Sequence, residues 1–168
     1  MRSSQNNYAF IDAQNLKLGV ERLGWKLDYK RFRVYLREKY HVTKAYLFIG
    51  YLPGNENLYR ALQEHGYLLI FKPILMQQTG RVKGNIDAEL VLHAMIEYEH
   101  YERAVIVTSD GDFACLVEYL YGKGKLETVL SPHGRTCSIL LKRAAREKIL
   151  FMNNLQGKLA YQKRRGTA

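Results

Sequence analysis

Two aspartates, Asp110 and Asp112, come directly after a short apolar run at residues 105–107. The run is β-branched and too short for a helix, which favours a fully buried strand. The residues after the aspartates recur at the i, i+3, i+4, i+7 spacing of an amphipathic helix: Phe113, Leu116, Val117 and Leu120. The two carboxylates are therefore predicted to lie in a strand-to-helix turn, at the edge where open α/β sheets bind ligands.

Two further acids are predicted to reach the same edge. Asp12 ends another apolar run, residues 8–11, which has the pattern of a first strand. Asp87 lies in the first turn of a helix predicted over residues 86–101, on the stripe expected to face the sheet. The other members of that stripe are Val91, Ala94, Met95 and Tyr98. Three separate stretches thus deliver acids to one predicted edge.

Taken singly, each of these acids has a structural explanation. Asp12 could end a strand in a turn, Asp87 could interact with a helix dipole, and the Asp110 pair could form a capped turn. Brought together, the carboxylates repel one another strongly, and a hard divalent cation such as Mg²⁺ or Mn²⁺ relieves that repulsion. Such a cation activates water and stabilises both oxygens of an in-line displacement. The pattern predicts phosphodiester hydrolysis, and its predicted metal ligands and catalytic groups are Asp12, Asp87, Asp110 and Asp112.

Four neighbouring residues are candidates for contacts with the substrate. Asn15 could orient a ligand carboxylate or the scissile phosphate, and Ser109 could add a hydroxyl contact. Arg81 and Lys83 lie in a polar segment, residues 76–84, that is interpreted as a mobile loop, and they could grip phosphate. Each of the four could equally be an ordinary turn or loop residue. No Ser-His-Asp or Cys-His arrangement is apparent, so a covalent route is not predicted.

The elements that must position these residues alternate along the chain. Strands are predicted near residues 8–11, 44–50, 67–71, 105–107 and 126–130, and residues 149–152 are expected to add a short strand or to pack as a cap. Helices are predicted from a cap at Asp28 to about residue 40, over 56–65 with Gly66 just beyond its end, over 86–101, then after residue 113 and around residues 137–144. Residues 16–25 are expected to form a loop or a short helix. This order calls for an α/β fold with a mainly parallel central sheet and helices on both of its faces.

The composition is that of a basic globular protein. The 168 residues include 26 Lys and Arg against 16 Asp and Glu, a formal net charge of +10. This excess indicates a polyanionic partner, with nucleic acid the first candidate; the alternative is charge that serves only solubility. No apolar run is long enough to span a bilayer, and the first residues lack a signal core, so a cytoplasmic protein with no membrane association is expected. The two cysteines, Cys115 and Cys137, form no metal-ligand pair in the sequence.

Three segments resemble the signatures of the NYN domain, in the LabA-like branch of the PIN-like nuclease superfamily. They are FIDAQN at residues 10–15, KGNID at 83–87 and TSDGDF at 108–113. They occur in the order and at the spacing of that family, over roughly residues 6–152. The resemblance implies a PIN-like three-layer α/β/α sandwich that cleaves RNA with a metal ion. It also suggests a division into an NYN domain, 6–152, and a basic C-terminal tail, 153–168.

The same resemblance assigns roles to individual residues. It implies a metal site of Asp12, Asp87, Asp110 and Asp112, with Asn15 beside the first of these, and it places Lys83 in the motif that leads into the Asp87 helix. The sequence departs from the family in one position. Members often carry an Ala-Asp pair in the last helix, where this chain has Ala145 followed by Arg146. That position is not predicted to hold metal.

The leading hypothesis is a Mg²⁺- or Mn²⁺-dependent ribonuclease acting on single-stranded or structured RNA. Targeting would come from surface charge, from a homodimer or from a protein partner. A second hypothesis is a PIN-like RNA-binding module without catalysis, in which some of the 13 tyrosines stack on bases. A third is another metal-dependent phosphotransfer enzyme that uses Asp110 and Asp112 as a metal clamp. Cleavage of RNA in Mn²⁺ but not in chelator separates the first from the other two.

Overall fold

A computed structural model of the protein describes residues 5–73, 75–76, 82–83 and 86–163. Its strands are β1 (Asn7–Asp12), β2 (Val42–Tyr51), β3 (Tyr67–Pro73), β4 (Leu75–Met76), β5 (Val82–Lys83), β6 (Ala104–Val107), β7 (Leu126–Ser131) and β8 (Ile149–Phe151). Its α-helices are α1 (Ala13–Arg22), α2 (Tyr29–Tyr40), α3 (Glu56–Glu64), α4 (Asp87–Ile96), α5 (Ala114–Gly122), α6 (Ile139–Ala145) and α7 (Gln156–Leu159).

The central sheet has six strands in the order β3-β2-β1-β6-β7-β8, and every neighbouring pair is parallel. The chain builds outward from β1 to β3, then returns to the other side of β1 and builds outward again from β6 to β8. The strand order therefore reverses between β1 and β6. Such a reversal opens a crevice at the carboxyl ends of the two strands, and α/β proteins bind ligands there.

Helices cover both faces of the sheet, which confirms the predicted α/β sandwich. Alternate residues of β1 belong to different cores, as the period of a strand requires. Ile11 packs in the core that includes residues from α1, α2 and α7, whereas Phe10 packs in the core that includes residues from α4, α5 and α6. Both side chains are fully buried. The architecture is consistent with a PIN-like fold.

Two local signals set the ends of the helices that flank β2. The side chain of Asp28 accepts a hydrogen bond of 3.1 Å from the backbone N–H of Arg31 and so caps α2, as predicted. Gly66 follows α3 with a φ of +96°, a conformation that favours glycine. Both predicted helices are therefore confirmed.

Helix α1 begins earlier than the sequence pattern predicted. A loop or short helix was expected from residue 16, but α1 starts at Ala13, directly after β1. Asp12 provides the cap, and Leu16 and Val20 bury one face of the helix against the core. The helix therefore projects directly from the strand end that carries the predicted site.

The inward stripe of α4 was predicted with two residues wrong, Met95 and Tyr98; the second lies beyond the helix, which ends at Ile96 rather than at residue 101. Leu90 and Ala94 are fully buried, and Val91 and Asp87 are half-buried beside them. Met95, expected on this stripe, is 38% exposed. The helix is therefore rotated slightly from the predicted orientation, with Leu90 rather than Met95 on the buried side together with Ala94. Asp87 remains on the inward side.

The predicted loop at residues 76–84 contains residues of two short strands. Strands β4 and β5 pair antiparallel, with Leu75 opposite Lys83 and Met76 opposite Val82. Strands of two residues have no periodic pattern, so the sequence did not indicate them. The remaining residues of that predicted loop, 77–81 and 84, lie outside the described residues.

The described chain continues past residue 152 into α7. Leu159 in that helix is 1% exposed and packs with the core that includes α2. The backbone N–H of Tyr161 also donates to the carbonyl of Lys26 at 2.7 Å. The predicted boundary between a domain over residues 6–152 and a basic tail over 153–168 stays a prediction. Among the described residues, no helix is both long enough and apolar enough to cross a membrane.

Candidate active site

The predicted acids gather around the crevice between β1 and β6. These strands are neighbours in register, with Ile11 opposite Val107. Asp12 is the last residue of β1, and Asp110 lies three residues beyond the end of β6. We call the group formed by Asp12, Asp87, Asp110 and Asp112 the acidic crevice. The parallel register thus brings acids from distant parts of the chain to one edge.

Asp12 is buried and held by two hydrogen bonds. Its side chain is the cap of α1, and Oδ1 accepts from the backbone N–H of Asn15 at 3.2 Å. The other oxygen, Oδ2, accepts from the hydroxyl of Thr108 at 3.3 Å. Asp12 is 6% exposed and Thr108 is fully buried. The carboxylate therefore has a fixed orientation across the β1–β6 junction.

The pKa of Asp12 is raised from 3.8 to about 6. Burial is the largest cause, because it disfavours the charged form, and repulsion from Asp87 and Asp110 raises the pKa further. The hydrogen bonds from Asn15 and Thr108 lower the pKa and only partly offset these effects. Asp12 is therefore electrostatically coupled to acids from the other two stretches.

Asn15 links the two strand ends through its side chain. Its Oδ1 accepts a hydrogen bond of 2.7 Å from the backbone N–H of Ser109, which follows β6. The hydroxyl of Ser109 lies 2.8 Å from that of Ser131 at the end of β7. Ser109 is 6% exposed, so its hydroxyl faces the framework of the site. The predicted contacts of Asn15 and Ser109 with substrate stay predictions.

Asp110 begins a tight turn that leads into α5. Its Oδ1 accepts a hydrogen bond of 2.9 Å from the backbone N–H of Asp112, and its own N–H donates to the Thr108 hydroxyl at 3.1 Å. Gly111 lies between the two acids, against α6. A Cβ at Gly111 would lie 2.3 Å from Oγ and 2.9 Å from Cβ of Ser138. Only glycine fits this close approach without a shift.

Asp87 completes a group of three acids around one point. One carboxylate oxygen from each of Asp87, Asp110 and Asp112 lies within 4.8 Å of the others. Asp87 is the first residue of α4, while Asp110 and Asp112 follow β6. Asp87 and Asp110 are half-buried, and Asp112 is exposed. The group is therefore open to solvent on one side and rigidly supported on the other.

The donor set fits a hard divalent cation. Mg²⁺ binds oxygen at about 2.1 Å in an octahedron, so opposite ligands stand about 4 Å apart. Oxygens within 4.8 Å of one another can share such an ion after small side-chain rotations or through water. Asp12 lies outside this group of three, although its charge interacts with two of them. The cluster is compatible with divalent metal binding, and it does not indicate which metal.

Two predicted phosphate contacts cannot be placed in the site. Arg81 lies outside the described residues, and Lys83 lies in β5, where only the backbone is described. Arg146, which occupies the position of the expected family acid, follows α6, and its guanidinium lies 4.7 Å from the centre of the Tyr121 ring. It stacks on an aromatic ring, as a cation does.

Sequence reasoning missed Thr108 and Ser131. Thr108 connects Asp12 to the Asp110 turn, and Ser131 supports Ser109. Both are buried hydroxyls at the carboxyl ends of buried strands. Their location at the carboxyl end of a strand could have indicated them in the sequence, because the same location was the reason for selecting Asp12.

Comparison with known proteins bears on the family and the fold. The NYN domain family matches residues 8–152. The low amplitude and bright protein LabA of Synechococcus elongatus is 27% identical over 157 residues, which cover 88% of this chain and 83% of that protein. A crystal structure of a protein of unknown function from Vibrio parahaemolyticus superposes with a TM-score of 0.77 at 23% identity, covering 95% of this chain and 99% of that chain. This likeness supports the fold alone. The chain therefore belongs to the NYN domain family of PIN-like nucleases, and its cluster of acidic residues lies at the β1–β6 crevice.

Proposed function

We propose that this protein is a metal-dependent ribonuclease that hydrolyses RNA phosphodiester bonds at the acidic crevice. One observation carries the proposal: oxygens of Asp87, Asp110 and Asp112 converge within 4.8 Å at the crevice where the strand order reverses. A structural role does not require acids from separate elements to converge, since their mutual repulsion is unfavourable without a cation.

The four acids would bind the metal ion and position the attacking water. Asp87, Asp110 and Asp112 would hold Mg²⁺ or Mn²⁺, with Asp12 as a further ligand, directly or through water. Asp87 would also help to position the attacking water, because it approaches the cluster from α4. When bound, the cation would neutralise charge on the phosphate and promote ionisation of the attacking water. Asn15 would hold the two strand ends at a fixed separation while substrate binds.

The charge of the chain supports a nucleic-acid substrate. The net charge of +10 already includes the acids of the crevice, so the remaining surface is more basic than the total indicates. Basic side chains would bind the phosphate backbone and bring it to the acids. RNA is proposed as the substrate, in single-stranded or structured form, because the motifs resemble those of RNA-cleaving PIN-like proteins.

The test is cleavage of end-labelled single-stranded and hairpin RNA in Mn²⁺, in Mg²⁺ and in chelator. The variants are Asp12→Asn and Asp110→Asn, because asparagine preserves the size of the side chain and its acceptor oxygen. The matched control is Asp28→Asn, since Asp28 caps α2 through the same contact, to the N–H three residues on, but lies outside the acidic crevice.

The proposal expects metal-dependent cutting by the native protein and by Asp28→Asn, with loss in both crevice variants. Binding of RNA without cutting in any metal would contradict it and would favour a non-catalytic RNA-binding module. Turnover of a small phosphate ester with RNA left intact would also contradict it and would favour another phosphotransfer reaction.

A further inference from the structure

A second concave region opens beside the acidic crevice. It has a volume of about 710 Å³ and lies between α1 and α3, over the ends of β2 and β3. Ala13, which follows Asp12, and Ile86, which precedes Asp87, both line it. We call it the α1–α3 cleft. It therefore starts one residue away from two of the four acids.

Apolar side chains of the cleft remain accessible to solvent. Leu52 is 41% exposed and Leu58 is 45% exposed, and both line the cleft. Tyr59 lies beside them, and its hydroxyl binds the main chain of β2, accepting from the N–H of Leu52 at 2.9 Å and donating to the carbonyl of Gly50 at 3.2 Å. The cleft thus offers a fixed apolar surface of the kind on which flat ligands pack.

Polar side chains that can form hydrogen bonds with a ligand also line the cleft. Asn55 precedes α3, yet its side chain makes no capping hydrogen bond to that helix. Its carboxamide lines the cleft with one acceptor and two donors, a set that can pair with the edge of a base. Gln14 is exposed and offers a second carboxamide from α1.

Cations surround the cleft in excess of acids. Among the described residues, the cleft is lined by three lysines and one glutamate: Lys17, Lys26, Lys72 and Glu21. Lys17 lies one helical turn beyond Ala13 on the same face of α1, which leads away from Asp12. Lys72 approaches Glu89 of α4 at 3.4 Å. The arrangement suits an anionic chain that extends from the acidic crevice along α1.

We infer that the α1–α3 cleft binds an unpaired base of the RNA, next to the phosphate that lies at the acidic crevice. The inference rests on the proposed function, because the crevice defines which phosphate is adjacent. The apolar wall would contact the base, Asn55 would pair with its edge, and Lys17 would bind the next phosphate.

Only an unpaired base can enter such a cleft. In an A-form helix the bases are stacked and paired, and the deep, narrow major groove prevents side chains from reaching their edges. The cleft volume of about 710 Å³ is also within the range of pockets that enclose small ligands, roughly 300–1,000 Å³. The protein would therefore prefer single-stranded RNA or loops over duplex RNA.

The test measures binding without cleavage. Fluorescein-labelled RNA octamers are titrated in chelator by anisotropy, using a single strand, the matched duplex and single strands with one abasic site at each position. The variant is Leu58→Ala, on the exposed side of α3. The matched control is Leu92→Ala on α4, which is 57% exposed and does not line the cleft.

The inference expects Leu58→Ala to weaken single-strand binding by about tenfold, with duplex binding and the Leu92→Ala control unchanged within about twofold. One abasic position should weaken binding to the native protein by a similar factor and to Leu58→Ala by less. Asn55→Ala should change the preference among the four bases at that position.

Abasic strands that all bind like the parent strand would overturn the inference. An equal loss on single strand and duplex would overturn it as well, because only backbone contacts would then be affected. These outcomes are separate from the proposed function. If the protein binds bases but cuts no RNA, the proposed ribonuclease activity is refuted and the base site in the cleft stands. If it cuts RNA in a way that depends on Asp110 but binds independently of the bases, the ribonuclease stands and the base site is refuted.

Discussion

The acidic crevice and the α1–α3 cleft share one edge of the sheet but differ in how their side chains are held. In the crevice, Asp12 and Asp110 each accept a hydrogen bond from a nearby backbone N–H. In the cleft, Leu52 and Leu58 are accessible and the side chain of Asn55 leaves α3 uncapped. The first region is a rigid arrangement of charge, and the second is an apolar surface with polar groups at its rim.

This difference separates two tasks that a nuclease must perform. Stabilising charge at a phosphate requires groups that are already oriented before the substrate arrives, since reorientation costs free energy. Holding a base requires contact area and a few donors and acceptors. Because α1 begins at the crevice and continues along the cleft, one helix connects the two regions. The two regions nevertheless use different side chains, so a substitution in one should leave the task of the other intact.

The largest expected effect separates cleavage from binding. Asp112→Asn should reduce metal-dependent RNA cleavage at least about a hundredfold, because it removes one of three converging carboxylates. Asp112 is exposed, so the substitution leaves the packing unchanged. Single-strand binding in chelator should be no weaker than that of the native protein. Parallel loss of cleavage and binding would show that the two regions do not act separately.

A second prediction concerns the cost of burying Asp12. In chelator, Asp12→Asn should raise the free energy of unfolding at pH 7, because a neutral side chain replaces a charged carboxylate that burial and neighbouring acids disfavour. The expected gain is about 2–3 kcal/mol, since each unit of pKa shift corresponds to about 1.4 kcal/mol. The folded-state pKa is raised from 3.8 to about 6, so the folded protein binds more protons than the unfolded chain between these values. The stability of the native protein relative to the variant should therefore fall as pH rises through that window and level off above it.

Urea denaturation of both proteins from pH 4 to pH 8 measures this difference. Asp28→Asn serves as the comparison, since Asp28 caps α2 through the same kind of hydrogen bond but is not one of the four acids of the crevice. A stability difference between native protein and Asp12→Asn that did not change with pH would refute the electrostatic account of the crevice.

A third prediction concerns the close approach at Gly111. Gly111→Ala should destabilise the fold by about 1–2 kcal/mol and reduce cleavage, because a Cβ there meets Ser138 and displaces the Asp110 turn. Gly122→Ala is the matched substitution, since no atom of the described residues lies within 4 Å of a Cβ at that helical position. It should be neutral or stabilising by up to about 1 kcal/mol. Thermal unfolding of both variants would distinguish them, and equal effects would argue against a tight turn at Gly111.

The smallest expected effect comes from the lysine on α1. Lys17→Ala should weaken binding of single-stranded RNA by about threefold at low salt and reduce the dependence of affinity on salt by about one phosphate contact. Lys30→Ala, an exposed lysine on α2 outside the cleft, is the comparison. If both substitutions had the same effect, the loss would reflect overall charge rather than a track along α1.

Much of the crevice could be predicted from the sequence because its signals are local. A strand of apolar residues followed at once by Asp12 or Asp110 marks a strand end, and parallel strands bring such ends together. Two hydrogen bonds cross the β1–β6 junction: Thr108 donates to Asp12, and the side chain of Asn15 accepts from the N–H of Ser109. Both depend on which strands are neighbours, and no local pattern specifies that. The close approach at Gly111 could not be predicted either, since its neighbour Ser138, the cap of α6, is distant in the sequence.

The cleft could not be predicted, because it is formed by the spacing between elements. Leu58 has the i, i+3, i+4 spacing of an ordinary amphipathic helix with Ala61 and Leu62, yet it remains 45% exposed. Similarly, the inward stripe of α4 was predicted with Met95 in place of Leu90, since helical periodicity leaves the rotation of a helix undetermined by about one position. Packing of α4 against β1 and against the turn at residues 111–113 decides that rotation.

The most direct test of the central claim is calorimetric titration of Mn²⁺ into chelator-treated native protein and Asp110→Asn. The account predicts saturable binding to the native protein, at least about tenfold weaker in the variant, and a thermal unfolding temperature that rises with Mn²⁺ only where binding occurs. Equal affinity in the two proteins, or no saturable binding to the native one, would contradict a metal centre at the acidic crevice.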